Sequence, residues 1–290
     1  MRVVFRLLIS TVTFLAACTE VPGEPPAPVT VSTVNRVTAN RVTANRVTAN
    51  RLAGNRLPTD GLMSSRLSDG RLAVNMNTAG ELLSTEGGRE VFSFVVSCAL
   101  PSDVTLTANV DGTPFEFTGE IGLTPEWLTA PLSRVGQGWI SACIFARVNG
   151  DDVALPISVR GGNVALATNA DERTEWSVEE GAFYGNLFTP LDQPILWIAC
   201  RGAGQLNHPD ASGLTDRMCA KPDPANPGFT LCGFIFAGDC GSFAADQVCA
   251  QYSGSATFYR QCSQAPLDSS GEPGADNPAF AQVITTYVVP

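Results

Sequence analysis

Eight cysteines constrain this chain more than any other feature: Cys98, Cys143, Cys200, Cys219, Cys232, Cys240, Cys249 and Cys262. The set is even, and six of its members fall in the 63 residues from Cys200 to Cys262. In an exported protein such a set implies disulfides, here up to four. Connectivity is not readable directly, since eight cysteines allow about 105 pairings. Cys98 and Cys143 nevertheless stand apart from the rest, each inside an apolar run that should be core. They are each other's natural partners, and the remaining six then pair among themselves. A Cys98–Cys143 bridge would close a loop of about 45 residues and contribute ~4 kcal/mol by loop-entropy reasoning. The stretch from Cys200 to Cys262 has few apolar residues, so it should depend on its bridges more than the front half does. Zinc is the competing use of cysteine. No CxxC pair occurs, however, and the one histidine, His208, has no ligand-like spacing around it, so no metal and no cofactor is expected.

A ninth cysteine, Cys18, closes the N-terminal stretch MRVVFRLLISTVTFLAAC. Arg2 and Arg6 form a basic start, and Leu7 to Ala17 is apolar but too short to span a bilayer. Residues 1–17 therefore read as a signal peptide. The tetrad Leu15-Ala16-Ala17-Cys18 resembles the lipobox of bacterial lipoproteins. That resemblance implies a lipidated (palmitate-bearing) Cys18 as the first mature residue, which also accounts for the odd cysteine. Thr19 follows it, and a residue other than Asp there resembles the sorting rule for outer-membrane retention. The expected location is the outer membrane, at the cell surface or its periplasmic face. The competing reading is an ordinary cleaved signal that ends in Cys.

Residues 18–34 are rich in Pro, Thr and Val and read as an extended tether. Residues 35–75 repeat with period five. Val37, Val42, Val47, Leu52, Leu57, Leu62, Leu67 and Leu72 lie five apart, and Arg precedes all of them except Leu62. Period five matches neither a helix nor a plain strand, but it suits a square coil with one repeat per side. The stretch resembles the pentapeptide-repeat family, which implies a quadrilateral β-helix with the aliphatic residue inside. In the first five repeats Asn rather than a small residue stands two positions before the aliphatic, a departure from that family's pattern, and Asp60, Ser65 and Gly70 follow in that place. Eight repeats make two turns, which would be marginal alone. A flexible stalk remains the alternative, and under either reading the segment spaces the main domain from the membrane.

The main domain, residues 76–290, includes the Cys-rich region 200–262. Residues 77–290 carry nine bases and twenty-four acids, a net charge of −15, which argues against nucleic acid as a partner. Hydrophobic content is 44%, enough for a packed core. Strands are expected over 91–98, 104–109, 114–118, 153–159, 164–167, 195–200, 230–236 and 281–289, all short, β-branched or aromatic, and bounded by turn residues. Thr124-Pro125-Glu126 supplies an N-cap and a Pro at the first helical position and predicts a short helix through Leu132. Residues 137–148 suit a helix or a strand; the common face of Ile140, Cys143, Ile144 and Arg147 favours a helix. The expected class is mainly β with a few short helices, a β-rich α+β fold stabilised by disulfides.

Chemistry-bearing residues are sparse. With a single His, mechanisms needing several imidazoles are excluded. His208 precedes Pro in a polar loop and reads as solvated, and there is no GxSxG, so no catalytic residue is assigned. Asp151-Asp152, Asp171-Glu172 and Glu179-Glu180 are paired acids that could serve glycoside hydrolysis, though acids on an acidic domain are more often solvated. The stretch WSVEEGAFYGNLF, with Trp176, Glu179, Glu180, Phe183 and Tyr184, is the candidate binding surface for sugar or a cationic group. Its bland alternative is a core strand and turn. The runs GWISACIFARVNGDDVALPISVRG and EGAFYGNLF, with the Cys-rich tail, resemble uncharacterised lipoproteins of Gram-negative bacteria. The resulting expectation is a lipid-anchored envelope protein with a non-enzymatic binding or structural role. Its partners would be the membrane through the anchor, and envelope polysaccharide or another envelope protein. The alternative is an exported hydrolase of polysaccharide or envelope polymer working through paired carboxylates.

Overall fold

The computed structural model describes residues 83–149, 155–189, 194–241, 247–251, 258–268 and 277–290, with 272 and 274. Within the repeat it describes only the backbone of 41–44, 66–68 and 71–73, three short extended pieces here labelled β1 to β3. Cys18, the tether and the rest of the repeat lie outside the described residues, and with them most of the expected coil. Among the described residues from 83 onward the architecture is α+β: five short helices and ten strands in three sheets, with four disulfides.

The first helix, α1 (Glu86–Ala99), stands where a strand over 91–98 is expected from β-branched and aromatic content. Thr85 caps it, its hydroxyl accepting from the Gly88 N–H at 3.0 Å. The buried positions Gly88, Val91, Phe92, Val95, Val96, Cys98 and Ala99 follow helical spacing, and burial on that stripe outweighs strand propensity. Two strands follow, β4 (Thr105–Val110) and β5 (Thr113–Thr118), joined through Asp111 and Gly112, both at positive φ. That is the backbone a two-residue hairpin turn requires. A single 3-10 turn, Pro125–Leu128, replaces the longer helix expected there, with Pro in its first turn as anticipated.

Helix α2 (Arg134–Arg147) confirms the helical reading of 137–148. Ser133 caps it through the Gly136 N–H, and the expected face of Ile140, Cys143, Ile144 and Arg147 is buried. Cys98–Cys143 staples α1 to α2, the expected pairing. The other six cysteines pair among themselves as Cys200–Cys240, Cys219–Cys232 and Cys249–Cys262.

The main sheet has β6 (Leu155–Arg160), β13 (Ile284–Val288), β7 (Val178–Asn186), β8 (Leu196–Arg201) and β9 (Ile235–Asp239) side by side, with β1 at the β6 edge. The C-terminal strand thus lies mid-sheet, antiparallel to both neighbours, while β8 and β9 run parallel. All five residues of β13 are buried, as a strand covered on both faces should be. Alternation divides the two faces. Phe183, Ala199 and Ile284 join the core beneath the helices, whereas Ala182, Tyr184, Ile198 and Cys200 join a second cluster with Tyr259 and Val248. That second cluster is covered by a small sheet of β10 (Cys249–Gln251), β11 (Tyr259–Ser263) and β12 (Ala279–Phe280).

Two further expectations change. Residues 164–167 are a 3-10 turn rather than a strand, because the Asn163 side chain accepts from the Ala165 N–H at 2.9 Å and caps it. The strand expected over 230–236 starts only at Ile235, since Thr230 turns the chain and its hydroxyl accepts from the Phe234 N–H at 3.1 Å. The remaining helices, α3 (Ala170–Glu175), α4 (Ala203–Asn207) and α5 (Ser212–Arg217), are one or two turns long. None of the described helices is long and apolar enough to cross a membrane.

Candidate functional site

The aromatic and acidic stretch singled out in the sequence does not form a surface. It is strand β7 with the turn before it, and Trp176, Glu180, Phe183 and Tyr184 are all buried. Phe183 meets Phe234 edge-on at 5.3 Å between ring centroids. Tyr184 faces the other way, and its hydroxyl donates to the Ser263 carbonyl at 2.6 Å. Burial pushes the Tyr184 hydroxyl far above its ordinary pKa. The core-strand reading holds here because a nine-residue strand in mid-sheet, covered on both faces, leaves only Glu179 and Asn186 half-buried and the rest buried.

The two acids of this strand are taken up inside the fold in different ways. Glu180 Oε2 accepts from Arg217 Nε at 2.5 Å and from the Thr286 hydroxyl at 2.7 Å. Arg217 also donates to the Ala146 carbonyl, so one side chain ties α5 to β7 and to α2. Glu180 Oε1 and Arg217 Nη1 have no hydrogen-bond partner among the described residues. Glu179 lies between two phenols: Tyr259 donates to Oε1 at 2.8 Å and Tyr287 to Oε2 at 3.0 Å. Arg160 stacks over the Tyr287 ring at 3.6 Å and donates to the Trp176 carbonyl at 2.6 Å. Burial lowers the Arg160 pKa, against the pull of Tyr287, Glu172 and Glu179. Of the other acid pairs, Glu172 is buried and accepts from the Ser158 hydroxyl at 2.7 Å, while Asp171 is exposed. Asp151 and Asp152 lie outside the described residues.

What does face solvent is the segment between the parallel strands β8 and β9. Cys200–Cys240 closes it at the base and Cys219–Cys232 crosses it within. It carries α4 and α5 and packs directly on the β7 backbone. A Cβ added at Gly204 would lie 2.3 Å from the Glu179 carbonyl oxygen, so only glycine permits that approach. Leu206, Phe229 and Leu231 are exposed on this excursion, three of the five large exposed hydrophobics among the described residues. Two clefts flank the α4–α5 turn and share Pro209. One, of about 300 Å³, is lined by Asn207, His208, Pro209, Asp210 and Ala211 together with Val178 and Pro290. The smaller, of about 120 Å³, is lined by Gln205, Leu214, Thr215, Met218 and Lys221. Met218 holds a left-handed backbone at φ 51°, a conformation that costs a side-chain-bearing residue energy.

This excursion therefore gathers the single His, the single Lys, most of the exposed apolar bulk and a strained residue. His208 is exposed just past the end of α4, as a solvated loop histidine should be. The clefts are shallow and mixed in polarity, and of the two only the larger has an acid, Asp210, in its lining. Such a surface can hold an apolar side chain beside hydrogen-bonding groups. Sequence reasoning missed it because its parts are short turns without periodicity. Glu180, an acid on the same strand face as apolar neighbours, was the available signal that a buried partner such as Arg217 must exist. Among the described residues, the one group of three or more potential metal ligands is a set of sulfurs, Cys200, Cys240 and Cys249. No family model matches the chain, and no curated protein or solved structure matches it.

Proposed function

We propose that this chain is a lipid-anchored envelope protein whose disulfide-closed excursion between β8 and β9 is a docking surface for another envelope protein. Four disulfides are the mark of a chain that matures in an oxidising compartment. The Leu15–Cys18 tetrad supplies the anchor, and the chain between Cys18 and β1 supplies the spacing. The observation that carries the docking reading is the concentration of Leu206, Phe229 and Leu231 on one bridged excursion beside two clefts. Exposed apolar residues rimmed by polar ones mark interaction sites. The paired-carboxylate hydrolase is the weaker reading: Glu180 and Glu172 are consumed by internal contacts, and Glu179 is held by two tyrosines.

The experiment places a photo-activatable side chain at Leu206, Leu231 or Val164 in the full chain expressed in its own host. Val164 is exposed but lies away from the excursion in sequence and serves as the control. A discrete adduct at Leu206 and Leu231 but not at Val164 supports docking. Equal labelling at all three positions, or none at any, contradicts it.

A further inference from the structure

Two of the four bridges touch. Cys200–Cys240 joins the ends of β8 and β9, and Cys249–Cys262 joins β10 to β11. The Sγ atoms of Cys200 and Cys249, which belong to different bridges, are 3.4 Å apart. The sulfurs of Cys200, Cys240 and Cys249 all lie within 4.8 Å of one another; Cys262 falls outside that set of three but is bonded to Cys249, the third of them. All four residues are buried. In a tetrahedral tetrathiolate centre the metal–sulfur distance is about 2.3 Å, which sets the sulfurs about 3.8 Å apart. The 3.4 Å between Cys200 and Cys249 is already close to that value.

The scaffold holds these sulfurs together without relying on the bridges alone. The Cys249 N–H donates to the Cys240 carbonyl at 2.8 Å, and the Cys240 N–H to the Arg201 carbonyl at 2.9 Å. Cys249 faces Cys262 across the β10–β11 ladder. Around them pack Ala182, Tyr184, Ile198, Val248, Tyr259 and Val283, an apolar shell that excludes water. Cys98–Cys143 and Cys219–Cys232 join no such cluster. The sequence hides the arrangement, because the four cysteines are spaced 40, 9 and 13 residues apart with no CxxC among them.

We propose that, when reduced, Cys200, Cys240, Cys249 and Cys262 form a tetrathiolate site for one thiophilic divalent ion of the zinc class. Two equivalents of a dithiol reductant each deliver two electrons and two protons. The Cys200–Cys240 and Cys249–Cys262 bonds break, four thiols form, and each reductant leaves as its disulfide. Binding of the ion then releases four protons as four thiolates coordinate it. Oxidation and metal loading exclude each other at this cluster, so the cluster reports the redox state of the compartment that last held the chain.

The test uses the full mature chain, reduced anaerobically with a dithiol that is then removed, and titrated with Co²⁺. The expected result is one Co²⁺ per chain, with intense sulfur-to-metal charge transfer and tetrahedral d–d bands that stoichiometric Zn²⁺ abolishes. Cys200→Ser with Cys249→Ser should weaken Co²⁺ binding at least tenfold. Cys219→Ser with Cys232→Ser should leave it unchanged and controls for stray thiols. Circular dichroism of the reduced chain, recorded in parallel, should retain its near-ultraviolet signal on metal addition. Absence of the bands overturns the proposal. So does equal affinity in the two double variants, or binding seen only in a chain that has lost its tertiary signal.

Discussion

The Arg217 guanidinium and the Glu180 carboxylate meet at 2.5 Å with neither side chain exposed, 37 residues apart in sequence. Two charges removed from water cost much of what their attraction returns, but removing one of them strands the other. Glu180→Gln or Arg217→Met alone should therefore lower stability by about 3–5 kcal/mol. The pair Glu180→Leu with Arg217→Met should cost clearly less than the sum of the two. Denaturant unfolding of the three variants measures this, and additive losses would mean that the two charges do not depend on each other.

Tyr184 gives the fold an alkaline limit. Its folded pKa is raised by burial, whereas an unfolded tyrosine ionises at about 10. The folded state thus holds the proton longer than the unfolded one, and this contribution is fully present below pH ~10 and lost as pH rises above it. The slope is at most about 1.4 kcal/mol per pH unit. Tyr184→Phe should be less stable at neutral pH, having lost the bond to the Ser263 carbonyl, yet should show a flatter decline above pH ~10. Unfolding midpoints measured between pH 8 and pH 11 decide, and identical slopes for both proteins would contradict the assignment.

The bridges should divide the molecule into a front part held by packing and a back part held by sulfur. Replacing Cys98 and Cys143 with Ala removes a loop constraint of ~4 kcal/mol, but α1 and α2 keep their shared core. Replacing Cys219 and Cys232 with Ala removes about 3 kcal/mol for a separation of 13 residues. That second loss should appear locally, as faster amide exchange in 203–234 with β6, β7 and β13 still protected. Uniform loss of protection across the domain would mean that the excursion is not a separate layer.

Much of this was legible before the structure. The strands β4 and β5, the helical face of α2 at Ile140, Cys143, Ile144 and Arg147, β8 and the closing strand all rest on local apolar patterns. Cys98 and Cys143 were paired by their apolar surroundings. α1 was misread because Val91–Cys98 is rich in strand formers, although Ser93 and Ser97 stand four apart and Thr85 offers a cap. The buried contacts were not legible, since Glu180 and Arg217, or Cys200 and Cys249, are brought together only by tertiary packing, and the exposed excursion was not, since its turns carry no periodicity. The acid-aromatic stretch misled for the opposite reason: aromatic residues beside acids look like a ligand patch until both faces of β7 are found covered.

The repeat makes its own prediction. If Val37 to Leu72 coil with the aliphatic residues inside, Leu57→Asp buries an unpaired charge at a cost of several kcal/mol, and Arg56→Ser is nearly neutral. Limited proteolysis over 35–75 reads this out, and equal resistance of the two variants would make the segment a flexible stalk.

The most direct measurement is mass spectrometry of the mature protein purified from membranes without reductant, covering both its N-terminus and its cross-linked peptides. The account predicts a lipid-modified Cys18 followed by Thr19, and the pairs Cys98–Cys143, Cys200–Cys240, Cys219–Cys232 and Cys249–Cys262. An unmodified start elsewhere would contradict the anchored envelope protein, and Cys98 or Cys143 joined to any cysteine beyond residue 199 would contradict the fold that presents its surface.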